Sequence, residues 1–280
     1  YNDFKLEKKI IIFGSNRLGG VNVTTNSLNK SLIFLGYRTK YAAGINAIII
    51  YLKTILKLKF FNSKKYLFFT WGLYNFLPIP SKNKIVIFHG FPSKRQQDFL
   101  RYNSFLLNIF ICKLTKTRNI SVSKYTQSIL RDIFDLNSSP ILNSVPYDLF
   151  FKYKKKLSLN TTQTLKKDID LIFIGRLTNY KMPINIIRIL EEFSIEKVVY
   201  MVGSGTKLEE SYKSKNKSNL SFIPYLSSED VYKYLSRSRY IISCSDSEPF
   251  GLVFLEALMN GCKIISPKSG GVIDILLNLG

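Results

Sequence analysis

Short, unbroken apolar runs recur along this chain, most of them set off by stretches with helical spacing. KKIIIFG (8–14), KYLFFT (65–70), KIVIFHG (84–90) and NISVS (119–123) stand in the first half. DIDLIFIG (168–175), KVVYMVG (197–203), LSFI (220–223), YIIS (240–243) and CKIIS (262–266) stand in the second. A strand that alternates polar and apolar residues can leave one face in water. A run that is apolar throughout needs cover on both faces, as in a parallel sheet flanked by helices. The segment SNRLGGVNVTTNSLNKSLIFLG (15–36) after the first run reads as a glycine-containing loop opening such a helix.

The expected fold is therefore α/β, with two Rossmann-like domains built on parallel sheets. Residues 1–150 and 168–280 would form the domains. FKYKKKLSLNTTQTLKK (151–167), polar, lysine-rich and without periodicity, would link them. Two such domains on a hinge are expected to leave a ligand cleft at the carboxyl ends of their strands. A length of 280 residues, 46% hydrophobic and 21% charged, suits two globular domains rather than a disordered chain. Cys112, Cys244 and Cys262 form no CxxC pair, which argues against a disulfide framework or zinc site and for a reducing cytoplasm. No apolar run reaches the ~18 residues of a membrane span, and no secretory signal is visible. The chain starts at Tyr1 without an initiator methionine, as a trimmed or partial chain would.

The net charge of +22 is uneven. Residues 1–150 hold 22 basic against 6 acidic side chains, a net of +16; residues 151–280 hold 19 against 13, a net of +6. An anionic partner is expected to meet the first half. A compositional bias towards Lys, Asn and Ile accounts for the charge equally well. Charge and aromatic content also suggest a basic nucleic-acid-binding protein, but no RNA- or DNA-binding motif accompanies them.

The densest chemistry lies in SDSEPFGLVFLEALMNGCKIIS (245–266). Ser245, Asp246 and Ser247 are capping residue types, Pro249 suits a first helical turn, and Gly261 suits a C-terminal cap. The spacing predicts a helix over 249–260 with Glu248 just outside its N-terminus. The free N–H groups and dipole there favour an anion such as a pyrophosphate. Glu256 lies eight residues on, about 12 Å further along a helix axis. A nucleotide sugar laid across this end would offer hexose hydroxyls to Glu248 and ribose hydroxyls to Glu256. Either glutamate alone reads as a cap or a satisfied buried carboxylate; the pair with its Pro-Phe-Gly insert reads as a site.

EPFGLVFLE resembles the E-x7-E signature of retaining GT-B glycosyltransferases of family 4, the glycosyl transferases group 1. The resemblance covers most of the chain and is sharpest between 168 and 274. It implies that Glu248 binds donor-sugar hydroxyls and Glu256 the nucleotide ribose, with backbone N–H groups offered by Phe250, Gly251 and Leu252. IGRLTNYK (174–181) resembles the family's G-R-x-x-x-x-K pattern. Directly after an apolar strand, a short loop can turn both Arg176 and Lys181 onto one diphosphate, in place of a metal. RLGGV (17–21) resembles the family's Gly-Gly loop, so Gly19 and Gly20 are expected at the donor; alone, Gly-Gly is most often a turn. His89, the only histidine, ends a strand, and the resemblance gives it a place beside the donor sugar as orienter and hydrogen-bond donor.

Softer matches follow. GSGT (203–206) resembles a phosphate-side loop, giving Gly203 and Gly205. FIPYLSSEDVYKYL (222–235) resembles the segment framing the base, around Tyr225 and Leu226. NSVPYDLF (143–150) and PKSGGVID (267–274) match family sequences with departures, Asp274 standing where glutamate is usual. Asp168-Ile169-Asp170 imitates a metal-binding D-x-D, but it falls at the start of a strand, away from the expected cleft. Family members continue well beyond the position of Gly280, so the C-terminal domain is expected to be shortened.

The resemblance implies a retaining, metal-independent glycosyltransferase needing no cofactor. It would move a hexose from a nucleotide-diphosphate sugar, a UDP-sugar by family frequency, to a polysaccharide or lipid-linked saccharide. A nucleotide-sugar epimerase on the same fold is the nearest rival. INAIIIYLKTILKLKFF (45–61), with Lys53 and Lys57 four apart, and FLLNIFICKLTKTR (105–118) read singly as domain helices bounded by lysines. Together they suggest a cytoplasmic surface lying on anionic lipid.

Overall fold

The computed structural model describes residues 9–16, 19–57, 66–92, 99–145, 147, 151, 167–193, 199–205, 220–224, 226–245 and 247–279. The chain divides into two compact units, Tyr1–Phe150 and Phe151–Gly280. Residues 152–166 of the expected linker lie outside the described residues.

In unit 1 the described strands are β1 (Lys9–Gly14), β2 (Arg38–Ala43), β3 (Tyr66–Thr70), β4 (Lys84–Phe88), β5 (Arg118–Ser121) and β6 (Ser139–Pro140). They form one sheet in the order β2-β1-β3-β4-β5-β6, with parallel pairing throughout. The described helices are α1 (Gly20–Phe34), α2 (Ile45–Lys57), α3 (Phe99–Thr115) and α4 (Lys124–Asp132). β1 is buried from Ile10 onward, as an internal strand covered on both faces must be. β2 was not legible as an apolar run. It is the sheet edge, its first four residues alternate between exposed and half-buried, and only Ala42 and Ala43 are buried. Edge strands have one open side and need no continuous apolar run. β6, two exposed residues long, is invisible to periodicity for the same reason.

In unit 2 the strands are β7 (Ile169–Ile174), β8 (Val199–Val202), β9 (Leu220–Ile223), β10 (Ser238–Ile242) and β11 (Lys263–Ile265). The helices are α5 (Pro183–Glu192), α6 (Ser228–Arg237), α7 (Leu252–Met259) and α8 (Val272–Leu279). The second sheet is also parallel, in the order β11-β10-β7-β8-β9. Its core is led by Phe173, Leu177, Ile186, Ile187, Val199 and Met201. Fully burying one such side chain contributes about 1.5–3 kcal/mol. Helix α6 starts on Ser227, whose side chain accepts from the Asp230 N–H at 3.2 Å, and carries Glu229 and Asp230 in its first turn.

Strand order decides where a site can form. From β7 the chain moves outward to β8 and β9, then returns to the other side of β7 for β10 and β11. The loops after β7 and β10 therefore diverge at a topological switch point, where open α/β sheets bind ligands. Unit 1 has the same feature between β1 and β3.

The expected helix over 249–260 starts later than the sequence suggested. Helix α7 begins at Leu252, because Gly251 has φ 88°, a left-handed conformation that cannot continue a right-handed helix. Pro249 therefore belongs to the preceding turn, and Glu248 lies four residues before the helix. Only the stretch from Leu252 to Glu256 rises helically, about 6 Å, so the 12 Å axial separation does not hold. The C-terminal end is as expected: Asn260 is the cap and Gly261 follows at φ 73°.

Candidate functional site

Four loops leave the carboxyl ends of the unit 2 strands: 175–182 after β7, 203–205 after β8, 243–251 after β10 and 266–271 after β11. The first is pinned by Leu177, which is buried in the core between the exposed Arg176 and the half-buried Thr178. It is stitched to the β8 loop, with Gly175 N–H donating to Val202 O at 2.9 Å and Leu177 N–H to Ser204 O at 3.1 Å. A Cβ at Gly203 would stand 1.8 Å from Gly175 O, and one at Gly205 1.9 Å from Leu177 O. Glycine is thus required at both positions by the neighbouring backbone.

The β7 loop is also tied to the β10 loop. Tyr180 Oη donates to Ser247 O at 2.8 Å, and Ser245 Oγ to Tyr180 O at 3.4 Å. The Lys181 ammonium pairs with the Glu248 carboxylate, both side chains being largely buried. Lys181 also lies 5.3 Å from the Tyr180 ring centroid. The β11 loop backs this turn: Gly271 N–H donates to Glu248 O at 2.7 Å, and a Cβ at Gly271 would stand 2.3 Å from Pro249 O. Phe250 is buried, anchoring the turn, and Gly251 is the N-cap of α7, which Leu252 opens; first-turn N–H groups have no partner within a helix.

Glu256 sits in the second turn of α7. Burial pushes its carboxyl up from 4.5 to about 7. Among the described residues its side chain makes no hydrogen bond, so a carboxylate there lacks the partners that would hold it ionised. Arg176 likewise has no ion-pair partner among the described residues. Leu226 is half-buried in the loop after β9. Tyr225 and Thr206 lie outside the described residues. The D-x-D imitation is accounted for: Asp168 pairs with Arg237 at 2.5 Å and Asp170 with Arg239 at 3.6 Å, at the amino end of β7.

In unit 1, Gly19 precedes α1 with φ 137° and ψ −179°, a conformation essentially confined to glycine, and no atom lies within 4 Å of where its Cβ would be. Gly20 is the first residue of that helix. His89 follows β4; its ring meets Trp71 edge-on at 6.0 Å, and its Nε2 is buried without a hydrogen bond within the described structure. Trp71, at the end of β3, donates its Nε1–H to Phe13 O on β1 at 2.8 Å. It thereby braces the two strands at their carboxyl ends and supports the imidazole. Trp71 belongs to none of the motifs named above, and Tyr180 only fills the variable place before Lys181 in G-R-x-x-x-x-K. The signal was a lone tryptophan ending an apolar strand, and an aromatic between the two cations.

Burial pushes the His89 imidazole down from 6.5 to about 4. It is neutral at physiological pH, one ring nitrogen a donor and the other an acceptor. The pH linkage follows: its contribution to stability is present above about 6.5 and lost as the pH falls through about 4. Because His89 is the only histidine, an NMR titration reads it without ambiguity. The expected midpoint is near 4, and a midpoint near 6.5 would show the ring to be solvated.

These features define a class. Two units, each built on a parallel sheet with helices, are those of the GT-B glycosyltransferase fold. Residues 155–279 match the family model of the Glycosyl transferases group 1. Over 172 residues the chain is 26% identical to an uncharacterized glycosyltransferase of Methanocaldococcus jannaschii, covering 56% of this chain and 44% of that protein. The chain spans less than half the length of the curated relatives it matches. Among solved structures it resembles Anabaena HepE in complex with UDP and glucose, at 14% identity and a TM-score of 0.64, covering 96% of this chain and 83% of that one. It also resembles WaaG, a glycosyltransferase involved in lipopolysaccharide biosynthesis, at 12% identity and a TM-score of 0.65, with the same coverage.

Proposed function

We propose that the chain transfers a hexose from a nucleotide-diphosphate sugar, a UDP-sugar first, to a saccharide or lipid-linked acceptor. Anomeric configuration would be retained and no metal or other cofactor used. The observation that carries this reading is the Lys181–Glu248 pair at the switch point of unit 2, made by the same loop that holds Arg176, which has no ion-pair partner among the described residues. A diphosphate entering here competes with Glu248 for Lys181. Once released, the Glu248 carboxylate accepts hydrogen bonds from the sugar hydroxyls, so donor binding itself arms the turn. Arg176 offers a fork and Lys181 a point charge to the diphosphate, whose negative charge grows as the glycosidic bond breaks; that growth is what they stabilise.

The N–H groups of Phe250, Gly251 and Leu252 add partial positive charge, and Glu256 takes the ribose. Gly203 and Gly205 hold the phosphate-side loop, and Tyr225 with Leu226 frames the base. His89 orients the sugar near its reacting carbon, and the Gly19–Gly20 turn meets the donor. HepE, solved with UDP and glucose, supports a UDP-sugar, and WaaG supports a saccharide acceptor. Among the described residues no helix is long and apolar enough to cross a membrane. The exposed apolar residues of α2 and α3 support a peripheral place on the inner face of the cell membrane.

Calorimetric titration with UDP-glucose tests the cation loop. Binding is expected to be unchanged in excess EDTA. Arg176→Ala should weaken it about 10- to 100-fold, the loss of one charge-assisted hydrogen bond. A strict requirement for Mg²⁺ or Mn²⁺ would overturn the metal-independent reading. Nucleotide release that needs no acceptor saccharide would point to an epimerase instead.

A further inference from the structure

Asp168-Ile169-Asp170, which only imitates a metal motif, belongs to a cluster of charges at the amino end of β7. Asp168 pairs with Arg237, the last residue of α6, and Asp170 with Arg239 on β10. Arg239 Nε also donates to the backbone carbonyl of Lys167 at 3.1 Å. These bonds fix the chain where the expected linker ends. From there the half-buried Lys167 side chain reaches the carboxyl ends of two helices. Its Nζ donates at 2.8 Å to the carbonyl of Asn260, the C-cap residue of α7, and at 3.5 Å to Leu235 O in the last turn of α6.

A helix ends on carbonyls without intrahelical partners, and a cation there also meets the negative end of the helix dipole. α7 has only eight residues, about 12 Å at 1.5 Å each, so a shift at one end is not absorbed before the other. Of its last carbonyls, Ala257 O accepts from the Asn260 and Cys262 N–H groups, and Leu258 O from Gly261 N–H. Glu256 O accepts from Asn260 Nδ2 at 2.8 Å. A Cβ at Gly261 would stand 3.6 Å from Lys167 Nζ, so the ammonium lies against the end of the helix. The buried Cys262 thiol donates to Leu235 O as well, at 3.0 Å, closing the corner between α6 and α7. A path of hydrogen bonds thus runs from Lys167 through Asn260 to the backbone of Glu256.

We infer that Lys167 is a positioning residue for the nucleotide, an assignment that rests on the proposed role of Glu256 at the ribose. The Glu256 side chain is buried and makes no hydrogen bond among the described residues, so the backbone of α7 is what sets its place. Lys167 touches no substrate. It holds Asn260, and Asn260 holds the turn that presents the Glu256 carboxylate. The ribose lies away from the bond that breaks, so the effect falls on binding and not on the chemical step.

Calorimetry with UDP, transfer kinetics and hydrogen exchange on the full chain test this. Lys167→Met is expected to weaken UDP about 3- to 10-fold, the scale of one hydrogen bond, with full stoichiometry and kcat within about twofold. Lys167→Arg should restore the affinity, and Asn260→Ala, which cuts the second link, should match Lys167→Met. Asp168→Asn, which loosens the same corner without touching α7, should leave UDP affinity unchanged. In a Glu256→Ala background Lys167→Met should add almost nothing, because the two residues act in series. A chain that merely folds less well would lose binding sites at unchanged affinity. That result, or an equal fold-change in both backgrounds, would overturn the inference. Exchange of the α7 amides needs no nucleotide; it should be faster in Lys167→Met and unchanged in Asp168→Asn. With that difference present, a wild-type chain that binds no UDP defeats the donor reading. Equal UDP binding by wild type and Lys167→Met defeats this inference alone.

Discussion

Glu248→Ala is expected to lower transfer at least about 100-fold, on the scale of removing one group that acts at the transition state, while binding of free UDP is kept or strengthened. The second half of that expectation comes from the ion pair. The Lys181 ammonium is held by Glu248, so removing the carboxylate frees the cation for the diphosphate. Glu256→Ala should fail in the opposite way, weakening UDP itself about 10-fold through the lost ribose contacts. Calorimetry with UDP and a transfer assay on the same preparations check both. Equal loss of UDP binding in the two variants would refute the division of roles.

Glu256 adds a pH signature. Burial pushes its carboxyl up to about 7, and ribose hydroxyls are held best by the ionised form. UDP affinity should rise between about pH 6 and pH 8, by up to about tenfold per unit below the pKa, and Glu256→Gln should remove that component. Stability runs the other way: the raised pKa favours the folded state below about 4.5, and this contribution is lost as the pH rises through about 7.

Gly203→Ala is expected to destabilise unit 2 by about 3 kcal/mol or more, combining overpacking with an unfavourable backbone conformation. The added methyl would meet Gly175 O at 1.8 Å, and φ at Gly203 is 145°. Neither the β8 loop nor the β7 loop can give way without moving Arg176, so UDP binding should fall with stability. Gly19→Ala supplies the contrast: its φ is 137° but no atom lies within 4 Å, so only the conformational cost of about 1–3 kcal/mol remains. Denaturant midpoints measured side by side check the order. A Gly203→Ala chain no less stable than Gly19→Ala would mean the loops are not packed as described.

The internal strands were legible because burial on both faces leaves one reading for KIIIFG or DLIFIG. The edge strand over Arg38–Ala43 was not, because an edge needs no such run. The helix after Glu248 was misread at its start for a different reason. Pro-Phe-Gly is compatible with a first helical turn or a left-handed break, and the β11 loop packed under it selects the break. The partnership of Lys181 with Glu248 spans 67 residues; no spacing rule reaches that far.

By itself the sequence determined the covered parallel strands, and the residue types at their carboxyl ends: Arg176, Lys181, Glu248, Glu256, His89 and the glycines. Local physics suffices there, because strand burial and glycine's free φ are properties of a few neighbouring residues. Only the tertiary structure decided which of those residues meet. The return of the chain across β7 set the cation loop against the glutamate turn. The seating of Gly203 on Gly175 and of Gly271 on Pro249 fixed the loops. The burial of Glu256 and His89 set their protonation, since desolvation depends on what the whole fold packs around a group.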